Sequence, residues 1–323
     1  MVAALGPGLV SKVLVIGAAG MIGRKLVRSL AGEELILHDV VPFDGASAVS
    51  DLSAPGEAEK LVASRPELIF HLAAVVSGEA EADFEKGYRV NLDGTRRLFE
   101  AIRKENYQPR VVFTSSIAVF GAPFPEAIGD EFLSAPLTSY GTQKAICELL
   151  LSDYSRRGFF DGIGIRLPTI CVRPGKPNLA ASGFFSGIIR EPLAGQEAVL
   201  PVPETVRHWF ASPRAAVGFL LHASRIDTGQ LGARRNLSMP GISATVGEQI
   251  AALRKVAGDK AAKLIRREPD PTIMRIVEGW PRNFDAQRAA ALGFRADSSF
   301  EDIIRAHIED ELRGSSAPRP ARA

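Results

Sequence analysis

The chain has 323 residues, 46% of them hydrophobic, with 39 basic side chains against 37 acidic ones for a net charge of +2. That length and apolar content predict a sizeable core, in one large domain or two smaller ones. The balanced charge excludes the basic footprint of a nucleic-acid binder and the polybasic signal of a membrane-surface protein.

In chain order, the first half alternates apolar strands with helical patterns. VLVIG (13–17) reads as a strand buried on both faces, followed by a helix from about Met21 to Ala31. LILHD (35–39) is a second strand, 57–65 a helix, and LIFHLAA (68–74) a third strand. A long helix pattern runs over 83–105, then RVVFTSS (110–116) gives a fourth strand, 139–157 a helix and GIGIRLPTI (162–170) a fifth strand. Repeated β-α-β units predict a Rossmann-type α/β fold, a doubly wound parallel sheet with helices on both faces. After about residue 171 the pattern loosens. Segment 173–206 is rich in Pro and Gly, as irregular or lid-like structure would be. HWFAS resembles a return strand, PRAAVGFLLHAS a helix with proline near its start, and TVGEQIAALRKVAG a further helix. Ser298 and Glu301 have capping-box spacing before the last helix. The expected organisation is a dinucleotide-binding domain over 12–170, with a return strand and helix at about 206–224. A smaller, mostly C-terminal lobe spans 171–205 and 235–312, and 313–323 is expected to be disordered.

Two cysteines, Cys147 and Cys171, are too few for a metal or disulfide framework and read as reduced, buried thiols. The opening MVAALGPGLVSK does not read as a signal peptide, and no run of 18 apolar residues suggests a membrane span. A cytoplasmic protein without a metal is the expectation.

Gly17, Gly20 and Gly23 form a G-x-x-G-x-x-G loop between strand and helix, with Met21 and Ile22 inside it. Glycines there let the backbone turn and approach a pyrophosphate, and the helix N-terminus offers free N–H groups. Asp39 ends the next strand, where a carboxylate accepts from adenosine ribose hydroxyls and repels a 2′-phosphate. No Arg or Lys follows in VVPFDG, so NAD is favoured over NADP, with Arg24 the residue that speaks for some NADP use. Asp51 precedes a helix, where an acidic residue serves equally as a cap.

Of four tyrosines, only Tyr140 is followed four residues later by a lysine, Lys144. The spacing places both on one helix face. An ammonium about 4 Å from the phenol, at an effective dielectric of about 20, would favour the phenolate by about 4 kcal/mol, or roughly three pKa units before any desolvation cost, and an oxidised nicotinamide would add another positive charge. Tyr140 could then accept an alcohol proton. Ser116 closes the fourth strand, where ligands of open α/β sheets sit, and could hold the reacting oxygen. The plain alternatives are a strand-end turn and a solvated Tyr–Lys pair.

Together these marks resemble the extended short-chain dehydrogenase/reductases of the NAD-dependent epimerase/dehydratase family. The resemblance covers about residues 12–312 and rests on GAAGMIG, Asp39, HLAA (71–74), VNLDGT (90–95), VVFTSSIAVFG (111–121), Tyr140-x-x-x-Lys144 and IRLPTI (165–170). It implies Ser116 as the catalytic Ser/Thr, Tyr140 as base and Lys144 as the residue binding nicotinamide ribose. It also implies cofactor contacts from Leu72, Ala73, Ala74 and Asn91, and more loosely from Asp51, Leu52 and Ile170. Asn91 would either support a water path for the proton or be a buried structural amide. Relatives often pair through the helices at 83–105 and 139–157, which implies a homodimer.

Within the family, LPVPETVRHWFASPRAA departs from the diphosphate-binding segment of nucleotide-sugar epimerases. Arg207 matches its arginine, but His208 stands where an acidic residue is usual. HLAAVVSGEAEADFEKGYRVN, IRLPTICVRPGKPN and SGFFSGIIREPLAGQ instead resemble members that oxidise a four-carbon sugar acid. Such a small-molecule substrate needs a cation for its carboxylate, for which Arg173 and Arg207 are candidates unless they form surface ion pairs. Ser77 could contact its hydroxyls, and Trp209 reads as packing. The expected activity is NAD-dependent oxidation of a small sugar acid. A nucleotide-sugar epimerase or dehydratase, and a dinucleotide-sensing regulator, are the competing readings.

Overall fold

The structure is a computed structural model that describes residues 11–175 and 181–313. Residues 1–10, 176–180 and the expected disordered tail beyond Arg313 therefore lie outside the described residues, while Arg313 itself ends a π-helical turn, Ile308–Arg313. Seven strands build the central sheet: β1 (Lys12–Ile16), β2 (Glu34–Asp39), β3 (Ala48–Val49), β4 (Leu68–His71), β5 (Arg110–Ser116), β6 (Asp161–Leu167) and β7 (Asn236–Ser238). Their order is β7-β6-β5-β4-β1-β2-β3, and every pairing is parallel.

The continuous apolar runs arise because both faces are covered. Val13 and Val15 face one core, with Leu26 of α1 (Met21–Ser29) and Phe219 and Leu220 of the helix Pro213–Ala223. Leu14 and Ile16 face the other, with Leu98 and Phe99 of α2 (Gly94–Glu105) and Cys147 and Leu151 of α3 (Ser139–Arg156). Each such fully buried side chain contributes roughly 1.5–3 kcal/mol. Both cysteines are free and buried.

Several boundaries differ from the sequence reading. The helix expected over 83–105 has a π-helical stretch, Tyr88–Asp93, between Phe84–Gly87 and α2. The fifth strand stops at Leu167. Pro168 lacks an N–H for the ladder, and Thr169–Ile170 crosses into a separate sheet with Arg207–Ala211 and Ile242–Thr245. Arg207–Ala211 is therefore not a return strand of the central sheet. That role falls to β7, a three-residue strand too short to signal itself in sequence. Ser299, rather than Ser298, caps the helix Phe300–His307 by accepting from Asp302 N. The lobe has its own core, where Phe185 and Ile189 of Gly183–Leu193 meet Ile250, Leu253, Phe300 and Ile304. No helix among the described residues is long and apolar enough to cross a membrane.

Candidate active site

The strand order reverses between β1 and β4, so the loops after these strands diverge and leave a crevice at their carboxyl ends. Gly17 lies there with φ +91°, and a Cβ on it would come 2.7 Å from Ala73 N. Gly23 is equally constrained, since its Cβ would fall 2.1 Å from Gly17 O. At the N-terminus of α1, Gly20 provides no side-chain cap, so the first amides keep their donors. Asp39 accepts from Ala19 N at 2.9 Å and from Val41 N at 3.1 Å. A carboxylate has about four acceptor sites, so capacity remains for two ribose hydroxyls. Arg24 is exposed. Leu72 and Ala73 donate to Ile16 O, which fixes the loop after β4 beside the glycines. Met21, Ile22, Leu72, Ala74 and Ile170 then line the cleft. A glycine cradle that any side chain would fill, free helix amides and a ribose-facing carboxylate fit a dinucleotide such as NAD.

Other expected cofactor residues are held by partners within the protein. Asp51 accepts from Ser53 N and Ser53 Oγ at 2.8 and 2.6 Å and pairs with Arg89 at 2.9 Å, so it is a turn cap. Its serine and arginine partners outweigh burial and hold its carboxyl below the usual range. Leu52 is buried in the core. Asn91 is the buried amide of the two alternatives. It accepts from Val75 N at 2.8 Å and donates to Val75 O and Gln143 Oε1 at 3.1 and 2.7 Å. With these partners it braces the loop after β4 instead of reaching the cleft.

The reacting end is built where β5 meets α3. Thr138 caps α3 by accepting from Gly141 N at 3.0 Å. A Cβ on Gly141 would lie 2.1 Å from Ala118 O, so this glycine lets the helix settle against the strand end. Ser116, Tyr140 and Lys144 thereby line one cleft of about 300 Å³. Ser77, at the start of the helix Ser77–Ala82, lines it too.

Lys144 is buried and donates to Thr114 O at 2.9 Å. Its Nζ stands 5.8 Å from the Tyr140 ring centre. Burial drives Lys144 down to about 8, against the opposing pull of Cys147 and Glu148. The Tyr140 phenol is raised by burial, while the Ser116 hydroxyl and the Arg173 charge draw it back. Within the chain alone, the desolvation that the spacing argument leaves out outweighs the opposing pull of Ser116 and the Arg173 charge.

The two arginines separate. Arg173 lines the cleft and has no acidic partner among the described residues. Burial lowers its pKa, while the phenol of Tyr140 favours its charge. Arg207 lies outside the cleft, donating to Ser243 O at 3.1 Å and pairing with Glu248 at 3.2 Å. Alternation along the strand turns His208 into the cleft in its place. Trp209 packs on Phe284 and donates to Met239 O at 3.2 Å. Arg207→Ala should therefore leave kcat/KM within about threefold and cost under about 1 kcal/mol, as an exposed pair does. A loss above about tenfold in steady-state turnover would restore Arg207 to the site.

Sequence reasoning missed a buried triad under Ser116. Ser115 Oγ donates to Glu148 Oε1 at 2.6 Å, and Arg166 grips both Glu148 oxygens at 2.8 and 2.6 Å. The signal available was Glu148, one helical turn beyond Lys144. It also missed the lobe wall of Thr169, Ser186, His208 and Trp280, whose residues come from distant segments.

Two histidines at this edge are buried and neutral. Burial lowers His71 to about 3 and His208 to about 4. The unfolded chain takes up these protons near pH 6.5, and the folded chain does so only near 3 to 4. Stability is therefore full above about 6.5 and falls as pH drops, by about 1.4 kcal/mol per pH unit for each group. Replacing His71 by Gln should flatten the dependence of the urea midpoint between pH 6.5 and 5. Parallel slopes for the two proteins would refute the assignment.

A model of the NAD dependent epimerase/dehydratase family matches residues 13–233. The D-erythronate dehydrogenase of Cupriavidus necator is 48% identical over 317 residues, which is 92% of this chain and 98% of its own. Its counterpart from Haemophilus influenzae is 40% identical over 314 residues, covering 93% and 100% of the two chains. A solved structure described as the nucleoside-diphosphate-sugar epimerase from Agrobacterium tumefaciens is 66% identical, with a TM-score of 0.91 over 97% of this chain and 99% of that one. The chain belongs to the NAD dependent epimerase/dehydratase family.

Proposed function

We propose that this protein oxidises a short sugar acid with NAD, D-erythronate at C2 giving 2-dehydro-D-erythronate. The carrying observation is the placement of Arg173 in the cleft beside Tyr140, with no acidic partner among the described residues. A guanidinium there holds a carboxylate bidentately and brings the adjacent carbon to the phenol. The names of the two relatives at 48% and 40% identity support this substrate.

NAD, when bound, supplies the hydride acceptor. Tyr140 takes the C2 hydroxyl proton as the C2–H bond breaks and the C2 carbonyl forms. Ser116 holds that oxygen by a hydrogen bond that strengthens as charge develops. Lys144, anchored on Thr114 O, holds the nicotinamide ribose and adds positive charge near the phenol. Because Tyr140 must lose a proton to work and burial raises its pKa, kcat/KM for oxidation should rise with pH. Exposed Phe84 and Leu149, on the helical segments thought to pair, support a homodimer, and two unbridged cysteines suit the cytoplasm.

The 66% identical structure's description favours a second reading, a nucleotide-sugar epimerase. Against it, the arginine expected to hold a diphosphate is turned toward Glu248 and Ser243. The experiment is NADH formation by purified protein with D-erythronate, L-threonate, other short sugar acids and several nucleotide sugars, with NADP in parallel. Turnover of a sugar acid with NAD supports the proposal. Silence on every acid with conversion of a nucleotide sugar overturns it.

A further inference from the structure

The lobe side of the cleft carries a polar couple that the catalytic account does not use. Thr169 Oγ1 and His208 Nε2 are 2.6 Å apart, and both residues line the cleft with Ser116, Tyr140 and Arg173. His208 is only 3% exposed. Phe185 stacks on its ring at 5.2 Å with an interplanar angle of 2°, while Phe210 and Trp280 contact it at 5.4 and 5.3 Å. The ring cannot swing, so Nε2 stays aimed at Thr169. The Pro281 backbone also hydrogen-bonds this imidazole, so its two polar contacts and its aromatic neighbours fix it together. Such a held, polar ring is what an apolar residue of similar size could not supply to Thr169.

Thr169 is only half-buried, so its hydroxyl opens on the cleft. A neutral imidazole has one N–H and one bare nitrogen. If Nε2 is bare, it accepts the Thr169 proton and leaves the threonine oxygen as an acceptor. If Nε2 carries the proton, it donates to Thr169, whose own O–H is free to donate. Either way the couple presents one oriented hydroxyl to a ligand. Thr169 is placed by Pro168, which ends β6 and sends the chain toward Arg173 four residues later.

We propose that Thr169, oriented by His208, is a specificity-determining residue that binds a hydroxyl of the acid beyond the reacting carbon. The inference rests on the sugar-acid reading and deepens it: Arg173 takes C1, Tyr140 and Ser116 take C2, and Thr169 reads C3 or C4. A site built to bond a hydroxyl discriminates strongly against an analogue that lacks it.

The test compares D-erythronate with (R)-2-hydroxybutanoate, which has the same carbon chain without the two distal hydroxyls. NADH formation is followed for the wild type, Thr169→Val and His208→Phe. The wild type should prefer D-erythronate by at least about 100-fold in kcat/KM. Thr169→Val should lower kcat/KM for D-erythronate by about tenfold or more, mainly through KM, and affect 2-hydroxybutanoate far less. The preference then narrows by the same factor. His208→Phe should follow it, and His208→Gln should recover part of the preference. Equal losses on both substrates, or unchanged D-erythronate kinetics in Thr169→Val, overturn the proposal. If the wild type oxidises neither acid, the sugar-acid reading falls with it, and that is visible before any variant is made. Valine is nearly isosteric with threonine, so Thr169→Val decides the matter even if His208→Phe does not fold.

Discussion

Tyr140→Phe should lower kcat for acid oxidation by about 10²–10⁴-fold, the usual contribution of a positioned proton acceptor. NAD affinity should stay within about threefold, because the ring remains while the glycine loop, Asp39 and Lys144 are untouched. The phenol faces Ser116 and Arg173 at the mouth of the lobe, so only its hydroxyl is lost. Stopped-flow turnover with NAD binding by fluorescence separates the two effects. Retained turnover would remove Tyr140 from the proton-transfer step.

Arg173→Met should lower kcat/KM for the acid by on the order of 100-fold, since removing one partner of a desolvated charge pair costs about 2–5 kcal/mol. The loss should appear chiefly in KM. A neutral polyol of the same length should change much less, because it has no carboxylate to lose. Arg173→Lys should recover part of the affinity but not the bidentate geometry. Equal losses on the acid and the polyol would mean that Arg173 shapes the lobe and does not bind the carboxylate. The contrast with Arg207→Ala is informative, since Arg173 lines the cleft from the loop after Thr169–Ile170 while Arg207 sits on a strand that turns it toward Ser243 and Glu248.

The sheet and the cofactor end were legible because each rests on local signals. Runs such as Val13–Ile16 are apolar on both faces, and the glycine loop, Asp39 and the Tyr140–Lys144 pair sit at short fixed spacings. The run 162–170 reads as one strand in sequence, and nothing local says that Thr169–Ile170 leaves it after Pro168 to pair with Phe210–Ala211. The sheet's last strand, Asn236–Ser238, is too brief for periodicity and is defined only by its partner Gly164–Arg166.

The substrate end was less legible for the same reason. Which way Arg207 and His208 face depends on the register with Ala244 and Thr245, a contact across more than thirty residues. The desolvation of Tyr140 lay beyond the spacing argument because spacing fixes a shared helix face but not depth. Lys144 is drawn to Thr114 O, and burial of the phenol became the larger influence. Asn91 could not be assigned until Gln143 and Val75 were seen to occupy its amide.

Transfer of label from D-erythronate carrying deuterium at C2 is the most direct test of the account. Purified protein, NAD and the labelled acid are incubated, and the reduced cofactor and the acid are analysed by mass spectrometry and NMR. The account predicts deuterium on the reduced cofactor, a 2-keto acid in equal amount, and loss of both in Tyr140→Phe. Deuterium kept on carbon alongside a product oxidised elsewhere, or an acid inverted at C2 with no net reduced cofactor, would contradict it.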